Sequence, residues 1–190
     1  MKVLDVGAGL RLEKAQEYFE GAEIVTLDID ADTNPNIVAD VTLPLPEYLH
    51  GQFDAVFLCH VLEHINWAQV VTTLRNLEQV LKPEGQLHVV VPSLEWAAME
   101  ILKPVVSNVL MGHLYGSQDT PYQYHRSGFT LNLLRQVCAL ARMVPVQAYQ
   151  QKASIKNNDD VFSVLQNVVI ARKPARTPAV PANEPALAAA

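Results

Sequence analysis

The sequence predicts an α/β fold in which an open, mostly parallel sheet carries helices on both faces and ends in an antiparallel C-terminal strand pair. Three observations lead there. Short runs rich in apolar and β-branched residues, Val3 to Val6, Ile24 to Leu27, Phe53 to Leu58 and Leu87 to Val91, have the length and uniform apolarity of buried strands. A long amphipathic stretch separates the third run from the fourth, and strand, helix, strand with both strands apolar throughout implies parallel neighbours covered on their faces. Near the end, Val144 to Gln150 and Val161 to Ala171 are two β-rich runs with Asn157, Asn158, Asp159 and Asp160 as the turn. So short a link demands an antiparallel pair.

Taken in order, the first run leads into a turn carrying Gly7 and Gly9, and the second ends at Asp28. From Asp28 to Asp40 there is too little chain, with Pro35 in the middle, for a full crossover helix, so Ile37 to Ala39 is expected as a short strand at best. After the third run, Asn66 is placed to cap a helix with Gln69 three residues on, as in a capping box. Trp67, Val70, Val71, Leu74, Leu77 and Leu81 form its apolar stripe, and Lys82, Pro83, Glu84 and Gly85 stop it. Ser93 to Met111 reads as a helix bent or broken at Pro104. Gly112 to Gly128 reads as a polar aromatic loop, and Thr130 starts a further helix through about Arg142. From Lys173 onward Pro and Ala dominate without periodicity, the pattern of a disordered tail. The expected organisation is one domain over 1–172, with 93–129 inserted as a lid over substrate, and a tail over 173–190.

Composition narrows the function classes. A chain of 190 residues, 49% hydrophobic and 18% charged, is long enough for a full core. With a formal charge of −6 and no basic cluster, it is a poor electrostatic partner for nucleic acid. Cys59 and Cys138 stand far apart, each inside an apolar run, as buried thiols of a reducing compartment do. No apolar run approaches the roughly 18 residues needed to span a bilayer, and Asp5 stands where a signal peptide needs its apolar core. A cytoplasmic protein with no membrane partner is expected.

The glycine turn carries the first functional signal. Gly7 and Gly9, directly after a strand, allow positive φ and let a ligand approach the backbone without meeting a Cβ. Parallel pairing would bring Asp28 beside this turn, where a carboxylate accepts both hydroxyls of a ribose. The pattern admits two cofactors. A dinucleotide fingerprint would need a third glycine at position 12, where Leu12 stands, which disfavours an NAD-dependent oxidoreductase or epimerase. A nucleoside without phosphates, such as S-adenosyl-L-methionine, does not need the helix N-terminus so close. A nucleoside-binding protein without turnover is the reading from another class.

LDVGAGL, TLDID, VADVTLPLP, FDAVFLCHVLEHI and LKPEGQLHVVVPS, in this order, resemble the class I S-adenosylmethionine-dependent methyltransferases, especially the small group called type 11. The match runs from about Met1 to Val91. HRSGFT with the helix and two strands after it looks like the same family's C-terminal third. The resemblance implies a Rossmann-like sheet and S-adenosyl-L-methionine as cofactor. It implies Asp5, Gly7 and Gly9 at the methionyl end, Asp28 at the ribose, Asp40 and the backbone of Val41 at the adenine, and Cys59 and His60 under the sulfonium. Two departures stand out: Leu10 replaces a common third glycine, and the crossover after Asp28 is short.

CHVLEHI, residues 59–65, also spells HxxEH, the order of the inverted zinc peptidases. A zinc site of that kind needs His60 and His64 on one helical face and a carboxylate from another helix. His60 instead follows a buried strand directly, in a strand-to-helix turn, where a spacing of four does not guarantee a shared face. No metal is expected; Glu63 and His64 are read as supports of the turn, and His60 as pointing toward methyl group and acceptor. Methyl transfer needs chiefly an in-line nucleophile, and a base only where the acceptor must lose a proton; His60 and His125 are the candidates. The loop from Gly112 to Thr130 is the main clue to substrate, with Tyr115, Tyr124, His125 and Arg126 expected to bind a small polar acceptor, Arg126 through an acidic group. The apolar 94–111 helix is expected as a lid or a homodimer contact.

Overall fold

The structure is a computed structural model, and it describes residues 1–9, 13–104, 107–157 and 160–175. Leu10, Leu12, Asn158, Asp159 and the tail from residue 176 lie outside the described residues.

Seven strands form one sheet: β1 (Lys2–Val6), β2 (Glu23–Asp28), β3 (Ile37–Val38), β4 (Phe53–Cys59), β5 (Leu81–Pro92), β6 (Val144–Asn157) and β7 (Asp160–Arg172), in the order β3-β2-β1-β4-β5-β7-β6. The first five are mutually parallel; β7 runs antiparallel to both β5 and β6. From β1 the chain proceeds to one side through β2 and β3, then returns to the other side of β1 with β4. That reversal makes the carboxyl ends of β1 and β4 a topological switch point, the place where open α/β sheets bind ligands.

Strand alternation splits the core in two. Leu4, Val6, Val56, Leu58, Val89, Val91 and Val169 face α2 (Val70–Val80) and α5 (Leu131–Leu140). Val3, Ala55, Phe57, Val90 and Val168 face the shorter α1 (Glu13–Tyr18), against Ala15 and Phe19. Within α2, Val70, Leu74, Leu77 and Val80 are fully buried, spaced as one helical face requires. Asn76 on the same helix donates to the carbonyls of Val41 and Leu43 at 3.0 and 2.9 Å, tying down the segment after β3. The β6–β7 hairpin projects beyond β5, and α3 (Leu94–Ile101) and α4 (Asn108–Tyr115) pack on it through Trp96, Ala97, Val109, Leu110 and Val164.

Several boundaries differ from the sequence expectation. Asn66 does not cap a backbone N–H; its side chain meets Gln69 Oε1 at 3.3 Å, and residues 67–69 form a 3-10 turn ahead of α2. The expected stop Lys82 to Gly85 is the start of β5, with Glu84 at φ 65°. Chain expected as loop from Gly112 is helical to Tyr115. Lys173, assigned by composition to the tail, exchanges backbone hydrogen bonds with Glu84 and Gly85 and pairs with Glu78 at 3.0 Å. Among the described residues no helix is long and apolar enough to cross a membrane.

Candidate functional site

The register of β1 against β2 sets Val6 opposite Leu27, so the glycine turn and Asp28 emerge side by side. Gly7 and Gly9 have φ of 66° and 55°, a region open to glycine at no steric cost. The Gly9 N–H donates to Asp28 Oδ2 at 3.0 Å, and the Asp30 N–H to Asp28 Oδ1 at 2.9 Å. Each carboxylate oxygen therefore keeps a lone pair for an incoming hydroxyl. Space for a ligand differs at the two glycines. A Cβ on Gly7 would strike Val61, whereas one on Gly9 would meet nothing within 4 Å among the described residues. A ligand thus has room over Gly9, bounded by a carboxylate that suits ribose, and the residues fit an adenosyl group.

Asp5, 4% exposed near the end of β1, lies close behind. Burial pushes its carboxyl up to about 7, with Lys14 opposing and Asp28 adding to the shift. Lys14, which sequence reasoning missed, also approaches Cys59 Sγ at 3.9 Å. Burial raises the Cys59 thiol above its ordinary range despite that lysine, which favours the neutral thiol. Asp40 accepts from the Thr42 N–H and hydroxyl at 2.9 and 2.7 Å, which turns the chain beside buried Val41.

His60 follows β4 in a left-handed conformation, φ 60°, uncommon for a residue with a side chain, though histidine adopts it more readily than most. Its ring is fully engaged. Gln166 on β7 meets Nε2 at 2.6 Å, and Nδ1 meets Glu63 Oε1 at 3.1 Å. With the Gln166 amide donating, the proton sits on Nδ1 and points at the carboxylate. His60 therefore fixes Glu63, and no ring nitrogen remains for a proton transfer in this arrangement. Gln166 was missed in sequence; its signal was a pair of amides, Gln166 and Asn167, interrupting the apolar run of β7.

Glu63 and His64 lie in the 3-10 turn 62–64, and the loop after α4 is bound to that turn. Arg126 and Ser127 N–H groups both donate to the Glu63 carbonyl, at 2.8 and 3.0 Å, and the Ser127 hydroxyl donates to the Leu62 carbonyl. His64 Nδ1 donates to the Tyr124 carbonyl at 3.2 Å, and His125 Nδ1 to the His113 carbonyl at 3.1 Å. The two rings meet edge to face, 4.9 Å between centroids. Glu63 is 1% exposed. Burial alone would raise its carboxyl, but the His60 hydrogen bond and the His60, His64 and His125 rings hold it below its ordinary value. Burial lowers His125, which favours the neutral ring.

His125, Tyr124 and Arg126 line an open cleft of about 690 Å³ together with Gln118, Asp119, Thr120 and Pro121. Arg126 is exposed, its guanidinium donating to the Pro121 carbonyl at 3.3 Å. Tyr115 does not line this cleft; its carbonyl accepts the His125 N–H and closes the loop at its base.

Comparison with known proteins accords with this geometry. Residues 4–89 match a family described as a methyltransferase domain. No curated protein sequence matches the chain. Among solved structures, the chain is similar to a 1,6-didemethyltoxoflavin-N1-methyltransferase of Burkholderia thailandensis, bound to 1,6-didemethyltoxoflavin and S-adenosylhomocysteine, with 17% identity, TM-score 0.58, and coverage of 91% of this chain and 71% of that one. A SAM-dependent methyltransferase of Methanosarcina mazei shares 16% identity, TM-score 0.61, over 92% and 93% of the two chains. A putative methyltransferase of Bacillus halodurans shares 16%, TM-score 0.62, over 91% and 92%. At such identities the structural likeness carries the fold alone. Residues 4–89, a little under half of the chain, are similar to the methyltransferase-domain family, and the fold is that of S-adenosylmethionine-dependent methyltransferases.

Proposed function

We propose that this methyltransferase transfers the methyl group of S-adenosylmethionine to a small polar acceptor held in the cleft of residues 118–126. The observation that carries the reading is the juxtaposition of Gly9, with open space above it, and the Asp28 carboxylate at 3.0 Å. The cofactor supplies an activated methyl sulfonium; the chain supplies position, which accounts for most of the acceleration in such displacements.

Asp28 holds the ribose hydroxyls, and Asp5 with the glycine turn receives the methionyl end. Asp40 and the Val41 backbone border the adenine. Cys59 and His60 form the floor at the tip of β4, where His60 orients Glu63. On the acceptor side, Arg126 offers two-point pairing to an acidic group, and Tyr124 offers an aromatic wall. His125 has Nδ1–H committed to the His113 carbonyl, so its Nε2 carries a lone pair, suited to receive a proton from a hydroxyl acceptor. The two cysteines are free thiols and fit a reducing, cytoplasmic setting. One of the similar structures has 1,6-didemethyltoxoflavin and S-adenosylhomocysteine bound, which supports a small-molecule acceptor here.

The test is transfer of labelled methyl from S-adenosylmethionine to a panel of small hydroxyl, amine and carboxylate acceptors. We expect turnover with at least one acidic small molecule, with KM raised about 10-fold or more in Arg126→Ala from loss of the charged pair. Turnover on protein or nucleic acid alone, with none on small molecules, contradicts the reading.

A further inference from the structure

We propose that Glu63, His64 and His125 bind a divalent transition-metal ion of the zinc class, at the edge of the cleft that His125 lines. One ligand atom from each of these three residues lies within 4.8 Å of the others. Ligands on a tetrahedral zinc, with bonds of about 2.1 Å, sit about 3.4 Å apart, so a displacement of about an ångström closes the set.

The hydrogen bonding leaves the right atoms available. Both rings donate Nδ1–H to a backbone carbonyl, Tyr124 for His64 and His113 for His125, which puts the lone pair of each neutral ring on Nε2. A carbonyl behind the far nitrogen is the usual support of a ligating histidine. Glu63 shows the same division of labour: Oε1 accepts from His60, while Oε2 is buried and has no hydrogen-bond partner among the described residues. An orphaned carboxylate oxygen is costly inside a protein unless a cation satisfies it. His60 thus acts behind the site, although the HxxEH spelling would make it a ligand; the third ligand comes from a distant loop. That loop is held by the paired hydrogen bonds from Arg126 and Ser127 to the Glu63 carbonyl, so the donors of both segments are positioned before any ion arrives.

Two imidazoles and one carboxylate make a donor set that suits zinc or iron(II) and, with three protein ligands, leaves a position open. An acceptor oxygen entering that position would be polarised, and a bound hydroxyl would lose its proton more readily. His125 Nε2 is then a ligand instead of the base. This last consequence rests on the proposed methyl transfer; metal binding itself does not.

The probe is zinc chloride titrated into chelator-treated full-length protein by calorimetry, with S-adenosylhomocysteine titrated in parallel. We expect one zinc per chain with a Kd of about 1 µM or tighter. His64→Ala and His125→Ala should each weaken zinc by about 100-fold or more, and His60→Gln by about 10-fold through the carboxylate it orients. His50→Ala, remote from the cluster, serves as the control with unchanged zinc affinity. Cobalt(II) added to the unsubstituted chain should give the strong visible absorption of a four- or five-coordinate site, a readout that needs no variant. Absence of zinc binding at about 100 µM, affinity in His64→Ala and His125→Ala unchanged from the parent, or only the weak absorption of aqueous cobalt overturns the proposal. Zinc binding without S-adenosylhomocysteine binding would instead overturn the cofactor reading and leave the metal site standing.

Discussion

Asp5 keeps its proton far above the ordinary carboxyl range because β1 holds it out of water; its pKa stands at about 7 against 3.8 for the free group. Below about 4 it is neutral in folded and unfolded chains alike. Between about 4 and 7 the unfolded chain ionises first, so fewer protons are bound on unfolding and stability falls as pH rises through this window. Asp5→Asn removes the dependence. Urea unfolding of both proteins at pH 5 and pH 8 should show the variant gaining on the parent as pH rises; a constant difference contradicts the assignment. Should Asp5 face the ammonium of the methionyl group, affinity for S-adenosylhomocysteine rises as pH passes through 7, because the ligand favours the ionised form. Single residues were unevenly legible in sequence. The position of Asp28 beside the glycine turn was readable because parallel neighbouring strands end side by side. Lys14 and Gln166 were not, because their roles come from strands and helices distant in the chain.

Elements in this fold are tied by a few polar links. Glu95, in the first turn of α3, accepts from the Leu131 N–H at 2.6 Å, from Asn167 at 2.8 Å and from the Ser93 hydroxyl at 2.9 Å, joining α3 to α5 and β7. Removing three hydrogen bonds to a charged acceptor by Glu95→Ala should lower unfolding free energy by about 3 kcal/mol, measured by urea denaturation. Burial would raise the Glu95 carboxyl, but the donors, Asn167 first, hold it below 4.5. Its contribution is therefore present above pH 4.5 and fades as pH drops through the lower folded pKa. Gly116 governs the loop after α4. At φ 77° it lets the chain turn out of α4, and a Cβ there would overlap the Gln123 carbonyl oxygen. Gly116→Ala should open the loop, with faster amide exchange at His125 and little change at α2. Amphipathic periodicity made α2 and α5 legible. The ends of β5, β6 and β7 were not, because strand length there follows from a partner strand rather than from local sequence.

At the scale of the molecule, the order of strands creates the site. Apolar runs with an amphipathic helix between them were enough to infer parallel strands, and the terminal pair had to be antiparallel. The projection of the β6–β7 hairpin past β5, and the helices packed on it, have no local signature; they appear only once Val164 and Trp96 are brought together. The same holds for Glu63, His64 and His125, whose meeting depends on backbone hydrogen bonds across the sheet's carboxyl edge. The central claim is that the tips of β1 and β2 jointly bind an adenosyl group. Titration calorimetry of S-adenosylhomocysteine into the parent chain and Asp28→Ala tests it most directly. One ligand per chain, weakened about 10-fold or more by loss of the ribose acceptor, is the predicted result. Equal affinity in the variant, or binding of NAD in place of S-adenosylhomocysteine, would contradict it.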